Sequence, residues 1–194
     1  MRILERREIT SGKERQVRFG LHLEDALRAE ASSDLGRLYR FWERAPTATD
    51  GVRYAEIIEL LDLVPVATPD FVTILGTDVG SAYEFYVIES ARKTGFDYEK
   101  SMRLGEIVSP LDRKFQIVDY AFAKKDRCVK VDEIHQWLEV PAGDRIQTRN
   151  YLRFLYPLCD ANGGIVRFMV ATRLLAENIV PLTSALQTPL LTVA

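Results

Sequence analysis

The segment Tyr151–Leu174 constrains the fold of this chain more than any other, because its residue pattern predicts two strands joined by a tight turn. Apolar side chains recur at every second position on both sides of that turn, as they do in a strand with a buried face. The turn, Asp160–Gly164, holds an asparagine and two glycines, which readily take the positive φ values of a hairpin. Further apolar residues at the alternate positions predict a sheet covered at least in part on both sides. Arg153 and Arg167 are expected to reach out at its margins.

Composition bounds the class of protein. The chain has 194 residues, of which 47% are hydrophobic, enough for one domain with a sizeable core plus an extension. Its 26 basic and 28 acidic residues give a formal net charge of -2, so charge offers no argument for nucleic acid or an anionic membrane as partner. The first residues are too charged for a secretory signal, and no stretch approaches the roughly 20 apolar residues of a membrane helix. We expect a cytoplasmic protein of bacterial type, without nucleic acid or membrane partners.

Two patterns precede the predicted sheet. Residues 1–20 alternate in part around Thr10–Lys13, which allows either a small hairpin or a loose charged arm. From Leu21 to Arg44 the apolar spacing is helical, and Ser32–Asp34 could cap a second helix within that range. The aromatic-rich stripe of the second helix suits either core packing or contact with a second copy of the chain. The residues of the expected dimer interface are Leu35, Leu38, Tyr39 and Trp42.

The later elements are predicted in the order of one short helix, two strands, one long helix and three strands, of which the last two form the hairpin. They are a short helix from Tyr54 to Leu61, strands Phe71–Leu75 and Tyr83–Glu89, a helix from Ser109 to Lys125, and a strand Val129–Leu138 ahead of the hairpin. The long helix begins with a capping serine and a proline, and it ends with two lysines that suit the helix dipole. A bulge is expected between Val131 and Ile134, where the apolar positions change parity. This order indicates an α+β fold rather than alternating βαβ units.

The order and two motifs resemble the short stand-alone PAS-like proteins of bacteria, over residues 34–175. In those proteins a helix that ends in an aromatic-Trp pair precedes the sheet, as Leu38-Tyr-Arg-Phe-Trp42 does here. Their last hairpin carries an Arg, an apolar run, Pro-Leu and an acidic turn with glycine, to which Arg153–Gly164 is similar. The chain departs from the family at Tyr86–Ser90, where the family tends to have an Arg-containing segment that closes with Gly-Thr.

The resemblance implies a PAS-like five-stranded antiparallel sheet with helices on one face, plus an N-terminal helical extension. The expected divisions are an N-terminal arm and helix at 1–33, the PAS-like domain at 34–175 and a C-terminal tail at 176–194. From Asn178 onward the tail carries no charged residue, so we expect it to pack on an apolar surface of this domain or of a second copy.

The resemblance also implies a cavity between the sheet and the central helices, used for a small ligand or for signal transfer. The candidate cavity residues are Phe85, Phe115, Val118, Phe122, Trp137, Phe154, Tyr156 and Phe168. Each of them would equally suit an ordinary core. No cofactor is expected, because neither His22 nor His135 lies on the long helix where a haem ligand is needed. The Asn-Cys-Arg-Phe run of flavin photosensors is missing from the sequence as well.

Other chemistry has little support. No nucleophile-elbow, zinc-protease, P-loop, dinucleotide-binding or CxxC motif occurs, and no metal site is predicted. Cys128 and Cys159 lie in apolar predicted strands, so buried reduced thiols are expected. Strand alternation places Glu133 and His135 on one face and Asp132 on the other. The His–Glu pair could be an acid–base couple or a solvated strand surface.

The sequence therefore predicts a non-catalytic PAS-like sensory or interaction domain. It would bind a small apolar ligand in its cavity, a protein partner through its flanking helices, or both, and it would form a homodimer. An unidentified signalling partner would receive the signal. Two alternatives from other classes remain: a small-molecule isomerase or dehydratase on a cupped α+β sheet, and a purely structural dimerisation module.

Overall fold

The computed structural model describes residues 1–48, 50–55, 72–77, 85–90, 110–140 and 144–181. Within these residues the chain forms eight strands and three helices. The strands are β1 (Ile3–Ser11), β2 (Glu14–Leu21), β3 (Arg53–Tyr54), β4 (Val72–Thr77), β5 (Phe85–Ser90), β6 (Lys130–Glu139), β7 (Arg145–Cys159) and β8 (Ile165–Pro181). The helices are α1 (Leu23–Ala29), α2 (Asp34–Arg44) and α3 (Pro110–Asp126).

All eight strands belong to one sheet, in which the order is β1-β2-β6-β7-β8-β4-β5 and β3 pairs with β7. Neighbours along that path are antiparallel, and the short β3 is parallel to β7. The α+β class is as predicted. The predicted count of five strands is wrong, because β1 and β2 form a hairpin that adds to the free edge of β6. Residues 3–21 are therefore part of the sheet rather than a separate arm.

The helices cover both faces of the sheet, so the prediction of helices on one face is wrong. Along β7 the side chains of Leu152, Phe154 and Tyr156 pack into one apolar cluster with α1 and α2. Leu155, between them, packs into a second cluster with Tyr120 and other residues of α3. Successive residues of a strand point to opposite sides, so these two clusters lie on opposite faces. We call these the α2 face and the α3 face.

The apolar stripe of α2 is core, and the expected dimer interface is wrong for three of its four residues. Leu35, Leu38 and Trp42 are buried against this chain's own sheet, which leaves them unavailable to a second copy. Tyr39 is half-buried, with its ring centroid 5.5 Å from that of Trp42. The predicted cap is present: the hydroxyl of Ser33 accepts a hydrogen bond from the Gly36 N–H at 3.3 Å.

The hairpin of β7 and β8 is the longest pairing in the sheet, and its turn is as predicted. Asp160 Oδ1 accepts hydrogen bonds from the backbone N–H groups of Asn162 and Gly164, each at 2.9 Å. Gly163 has a φ of 82°, the left-handed conformation that glycine takes without strain. The strand continues to Pro181, so residues 176–181 belong to β8 rather than to a tail, and residues 182–194 lie outside the described residues.

Three other predictions concern the middle of the chain. The long helix and the strands before and after it are present as α3, β4, β5 and β6. The predicted bulge in β6 is absent, because the register of β6 with β7 runs unbroken from Lys130 to Glu139. The apolar positions shift from odd to even between Val131 and Ile134 because both faces of β6 are buried. Arg53 and Tyr54 form β3, so the predicted helix does not begin at Tyr54, and residues 56–61 of that prediction lie outside the described residues.

Candidate functional site

The residues predicted to line one cavity do not share a face of the sheet. Phe154 and Tyr156 are buried on the α2 face, where Trp137 packs half-buried against the same cluster. Phe168 is buried on the α3 face, and Phe115 of α3 packs there over two arginines of the sheet. A single cavity between the sheet and one layer of helices cannot hold both groups.

The remaining predicted cavity residues add nothing to a common site. Val118 and Phe122 lie one turn apart on α3 and are 54% and 50% exposed, so they do not line a closed cavity. Phe122 instead carries the Lys130 ammonium over its ring, 4.6 Å from the centroid. Phe85 lies in β5, and its side chain falls outside the described part of the chain.

Charged residues, rather than aromatic ones, converge between the sheet and α3. Alternation along neighbouring strands brings their side chains to one face, since Arg7 pairs with Arg18 and Asp132 pairs with Arg153 across the sheet. Asp119 belongs to α3, which packs over this face, and its carboxylate contacts the side chains of the strands from the helix. We call these five residues the arginine cluster: Arg7, Arg18, Asp119, Asp132 and Arg153.

Asp119 is the centre of the arginine cluster. Its Oδ2 accepts hydrogen bonds from Arg18 Nη1 and from Arg153 Nη2, and its Oδ1 lies 2.6 Å from Arg7 Nη2. One helical carboxylate thus contacts guanidinium groups from three different strands. Four of the five side chains are at most 3% exposed, and only Arg7, on the edge strand β1, reaches solvent at 22%.

Arg153 joins the two carboxylates of the cluster. Its Nη2 donates to Oδ2 of Asp119 and to Oδ2 of Asp132, each at 2.5 Å. Its Nε and Nη1 are also buried, and neither has an acceptor among the described residues. Buried donors normally find a partner, so these groups mark the place where the cluster is incomplete. The expectation that Arg153 would reach out at the sheet margin is wrong, because Asp119 of α3 covers it.

Charge is fixed in this cluster. Burial by itself would raise the pKa of Asp119, but Arg153, Arg18 and Arg7 hold that pKa well below its ordinary value. Burial would lower the pKa of Arg153, and Asp132 and Asp119 together raise it well above its ordinary value. Both groups therefore stay charged near neutral pH. Such a cluster can hold an anion by charge-assisted hydrogen bonds, and neither Asp119 nor Arg153 gains or loses a proton near neutral pH.

Aromatic rings close the sides of the arginine cluster. The guanidinium carbons of Arg7 and Arg18 lie 5.4 and 4.8 Å from the Phe115 ring centroid, and that of Arg153 lies 5.9 Å from the Tyr120 centroid. These contacts restrict the rotation of the long side chains and lower the local dielectric. The guanidinium groups are thus held in place by their aromatic neighbours.

The pair that could act as an acid–base couple lies on the other face. His135 Nε2 and Glu133 Oε1 are 2.7 Å apart, and Asp132 points away from them into the arginine cluster, as strand alternation predicts. The imidazole packs edge-on against Phe19, with 5.3 Å between ring centroids. This surrounding is apolar and buried, so the interpretation as a solvated strand surface is wrong.

On the α2 face, two buried polar atoms of aromatic side chains have no hydrogen-bond partner among the described residues. They are the Tyr156 hydroxyl and Trp42 Nε1. Their rings lie 5.4 Å apart. Burial, and to a lesser extent Tyr39, raises the pKa of Tyr156 well above its ordinary value, so the phenol remains neutral.

The cysteines and metal-binding side chains form no further site here. Cys159 is buried as predicted, whereas Cys128 is exposed, and both are free thiols. Burial raises the pKa of each thiol, which makes neither one a reactive thiolate. Among the described residues, no three His, Cys, Asp or Glu side chains are grouped so that they could hold a metal ion.

Sequence reasoning missed the arginine cluster, although one signal for it was present. Arg18 lies between Val17 and Phe19, and Arg153 lies between Leu152 and Phe154, so each arginine has apolar neighbours on both sides in the sequence. An arginine in such a position of a covered strand indicates either a buried ion pair or a local bulge. The missing information was the partner, because Asp119 is 34 residues from Arg153 in the sequence.

Comparison with known proteins adds no relative. A scan against protein-family models, a search of curated proteins and a search of solved structures each found nothing that matches this chain. Across the described residues, no helix is both long enough and apolar enough to cross a membrane. The function is therefore inferred from the geometry of the site.

Proposed function

We propose that this chain is a cytoplasmic, non-catalytic PAS-like sensory or interaction domain whose ligand binds between the sheet and α3. Two strands, a long helix and three strands follow one another in the sequence, and they give the spatial order β5-β4-β8-β7-β6. Within this five-stranded block, β4 is the first strand in the sequence and pairs with β8, the last. Such a pairing of first and last strands is a feature of PAS-like domains. The β1-β2 hairpin extends that block at its β6 edge.

The observation that carries the proposal is the incomplete arginine cluster. A cluster with a purely structural role would be expected to satisfy its buried donors, because each unsatisfied one costs about 1 to 3 kcal/mol. Arg153 keeps two buried nitrogen atoms without acceptors in the described part of the chain. A ligand seated beside Arg153 would supply these acceptors, which moves the expected ligand site from an aromatic cavity to a polar one.

Native mass spectrometry of the purified chain, beside its denatured spectrum, tests this function. We expect additional mass in the native spectrum that is lost on denaturation. The variant Phe115→Leu should reduce the occupancy, because Phe115 packs on Arg7 and Arg18. The same change at Phe154, on the α2 face, is the matched control and should leave occupancy unchanged. Equal loss in both variants would contradict a site on the α3 face.

A second candidate function, homodimerisation, is favoured by the outer edge of β8. β4 pairs with β8 over residues 167–171, and no described strand pairs with Arg173–Pro181 on that side. Leu174, Leu175 and Ile179 are 56%, 42% and 58% exposed on this segment. A long apolar edge strand tends to pair with the strand of another chain.

Light scattering after size-exclusion chromatography tests the dimer. We expect the wild-type chain to be a dimer and Ile179→Lys to be a monomer, because a charge on the edge opposes strand pairing. Val118→Lys is the control, since Val118 is similarly exposed at 54% but lies on α3. A monomeric wild type, or a dimer that survives the change at Ile179, would exclude this edge as an interface.

A further inference from the structure

We propose that the arginine cluster binds a small organic carboxylate, with Arg153 as the anchoring residue. This inference rests on the proposed ligand-binding function and narrows it to one chemical class. It replaces the expected apolar ligand with an anion. Three properties of the site support it: the unused donors of Arg153, the charge balance of the cluster, and the rigidity of the side chains together with the partial exposure of Arg7.

The unused donors define what the ligand must offer. An arginine carries five N–H bonds, of which Nε has one and Nη1 has two. These three belong to a side chain that is 3% exposed, and their nitrogen atoms find no acceptor in the described part of the chain. A ligand for this site must therefore present acceptor atoms to Arg153. A carboxylate meets that requirement, because its two oxygen atoms accept several hydrogen bonds and donate none.

The charge balance selects an anion over a neutral acceptor. The cluster holds three guanidinium groups against the carboxylates of Asp119 and Asp132, so it has one positive charge in excess. Glu5 lies 3.3 Å from Arg7 Nε, but its side chain is 47% exposed, and water screens that contact. A monovalent anion would neutralise the excess positive charge of this buried cluster, where an uncompensated charge is destabilising. A divalent phosphate would overshoot it.

The site is held rigid and has one described approach. Phe115 packs against Arg7 and Arg18, and Asp119 anchors both of them to α3. A ligand would pay little to order these side chains. Arg7 is the partly exposed member of the cluster, so the edge at β1 is the described side from which a small anion could enter.

Isothermal titration of the full-length wild-type chain tests the ligand class without any substitution. The probes are the monovalent carboxylates acetate and propionate, their neutral amides acetamide and propionamide, and inorganic phosphate. We expect at least one carboxylate to bind about 10- to 100-fold more tightly than its amide, which is the ratio that a charge-assisted hydrogen bond provides. Equal affinity for carboxylate and amide would overturn the proposal, and so would preferential binding of phosphate.

Two variants test the role of Arg153. Arg153→Gln should weaken carboxylate binding about 10- to 100-fold, whereas Arg167→Gln, on the other face of the same hairpin, should leave it unchanged. If circular dichroism shows that Arg153→Gln does not fold, Arg7→Gln takes its place. Arg7 is partly exposed, and like Arg153 it contacts the side chain of Asp119. Carboxylate binding that is unaffected by the cluster variant would overturn the assignment to this site.

The outcomes separate this inference from the function on which it rests. A neutral molecule that co-purifies with the chain, together with no carboxylate binding, would overturn the anion and leave the ligand-binding function in place. A bare native mass together with no binding of any probe would overturn both, and the arginine cluster would then be a structural element.

Discussion

The two faces of the sheet are both buried, yet they are stabilised by different interactions. On the α2 face, Trp42 and Tyr156 lie with ring centroids 5.4 Å apart within a cluster of aliphatic side chains. On the α3 face, Asp119 gathers three guanidinium groups from three strands. Apolar packing tolerates exchange of similar volumes, whereas a buried ion cluster fails when one partner is removed. The comparison teaches that the α2 face depends on apolar packing, whereas the α3 face combines an apolar cluster with a buried ion cluster.

The largest expected effect comes from removing the charge at the centre of the arginine cluster. Asp119→Asn leaves Arg18 and Arg153 buried without their shared carboxylate, and we expect it to lower the free energy of unfolding by about 3 to 5 kcal/mol. Urea denaturation followed by circular dichroism measures the change.

The control for this prediction is an ion pair of the same composition at the surface. Asp34 and Arg37 form one on α2, with side chains that are 39% and 52% exposed. Asp34→Asn should cost less than about 1 kcal/mol, because water screens exposed pairs. Similar losses in the two variants would mean that burial does not set the strength of the cluster, and the contrast between the faces would not hold.

The same contrast explains what the sequence could and could not predict. The hairpin turn, the cap at Ser33 and the long helix were predictable because each depends on residues close together in the chain. The α+β class followed from the order of those elements. Helices on both faces were not predicted, although apolar residues at alternate positions, such as Leu155 between Phe154 and Tyr156, indicated a sheet covered on both sides.

The arginine cluster lay beyond such reasoning for a physical reason. A charged residue in an apolar strand has two opposite explanations, a bulge that turns it to solvent or a partner that neutralises it. Local sequence does not decide between them, because the partner of Arg18 is Asp119, 101 residues away. The prediction that Phe154 and Phe168 line one cavity was wrong for a related reason. Their aromatic character indicates that they are buried but does not say which face of the sheet each one occupies.

Acid should weaken the α3 face before the α2 face. The pKa of Asp119 is held well below its ordinary value of 3.8, so the folded state binds this proton less readily than the unfolded state does. The stabilisation is therefore complete above about pH 5 and is lost as the pH falls below about 4 towards the folded-state pKa. We expect the difference in unfolding free energy between wild type and Asp119→Asn to narrow across that range. A difference that stays constant between about pH 6 and pH 3 would contradict the assignment.

The smallest expected effect is that of truncating an exposed aromatic residue of α3. Phe122 was predicted to line a cavity, but it is 50% exposed on α3, so Phe122→Ala should change the free energy of unfolding by less than about 0.5 kcal/mol. Leu38 was predicted to face a second copy, but it is fully buried on α2, so Leu38→Ala should cost about 2 to 5 kcal/mol. Urea denaturation of both variants at one protein concentration makes the comparison. A large loss at Phe122 would mean that a second copy of the chain covers this side of α3, because the urea experiment contains no other protein, and the exposure of Phe122 would then not explain its role.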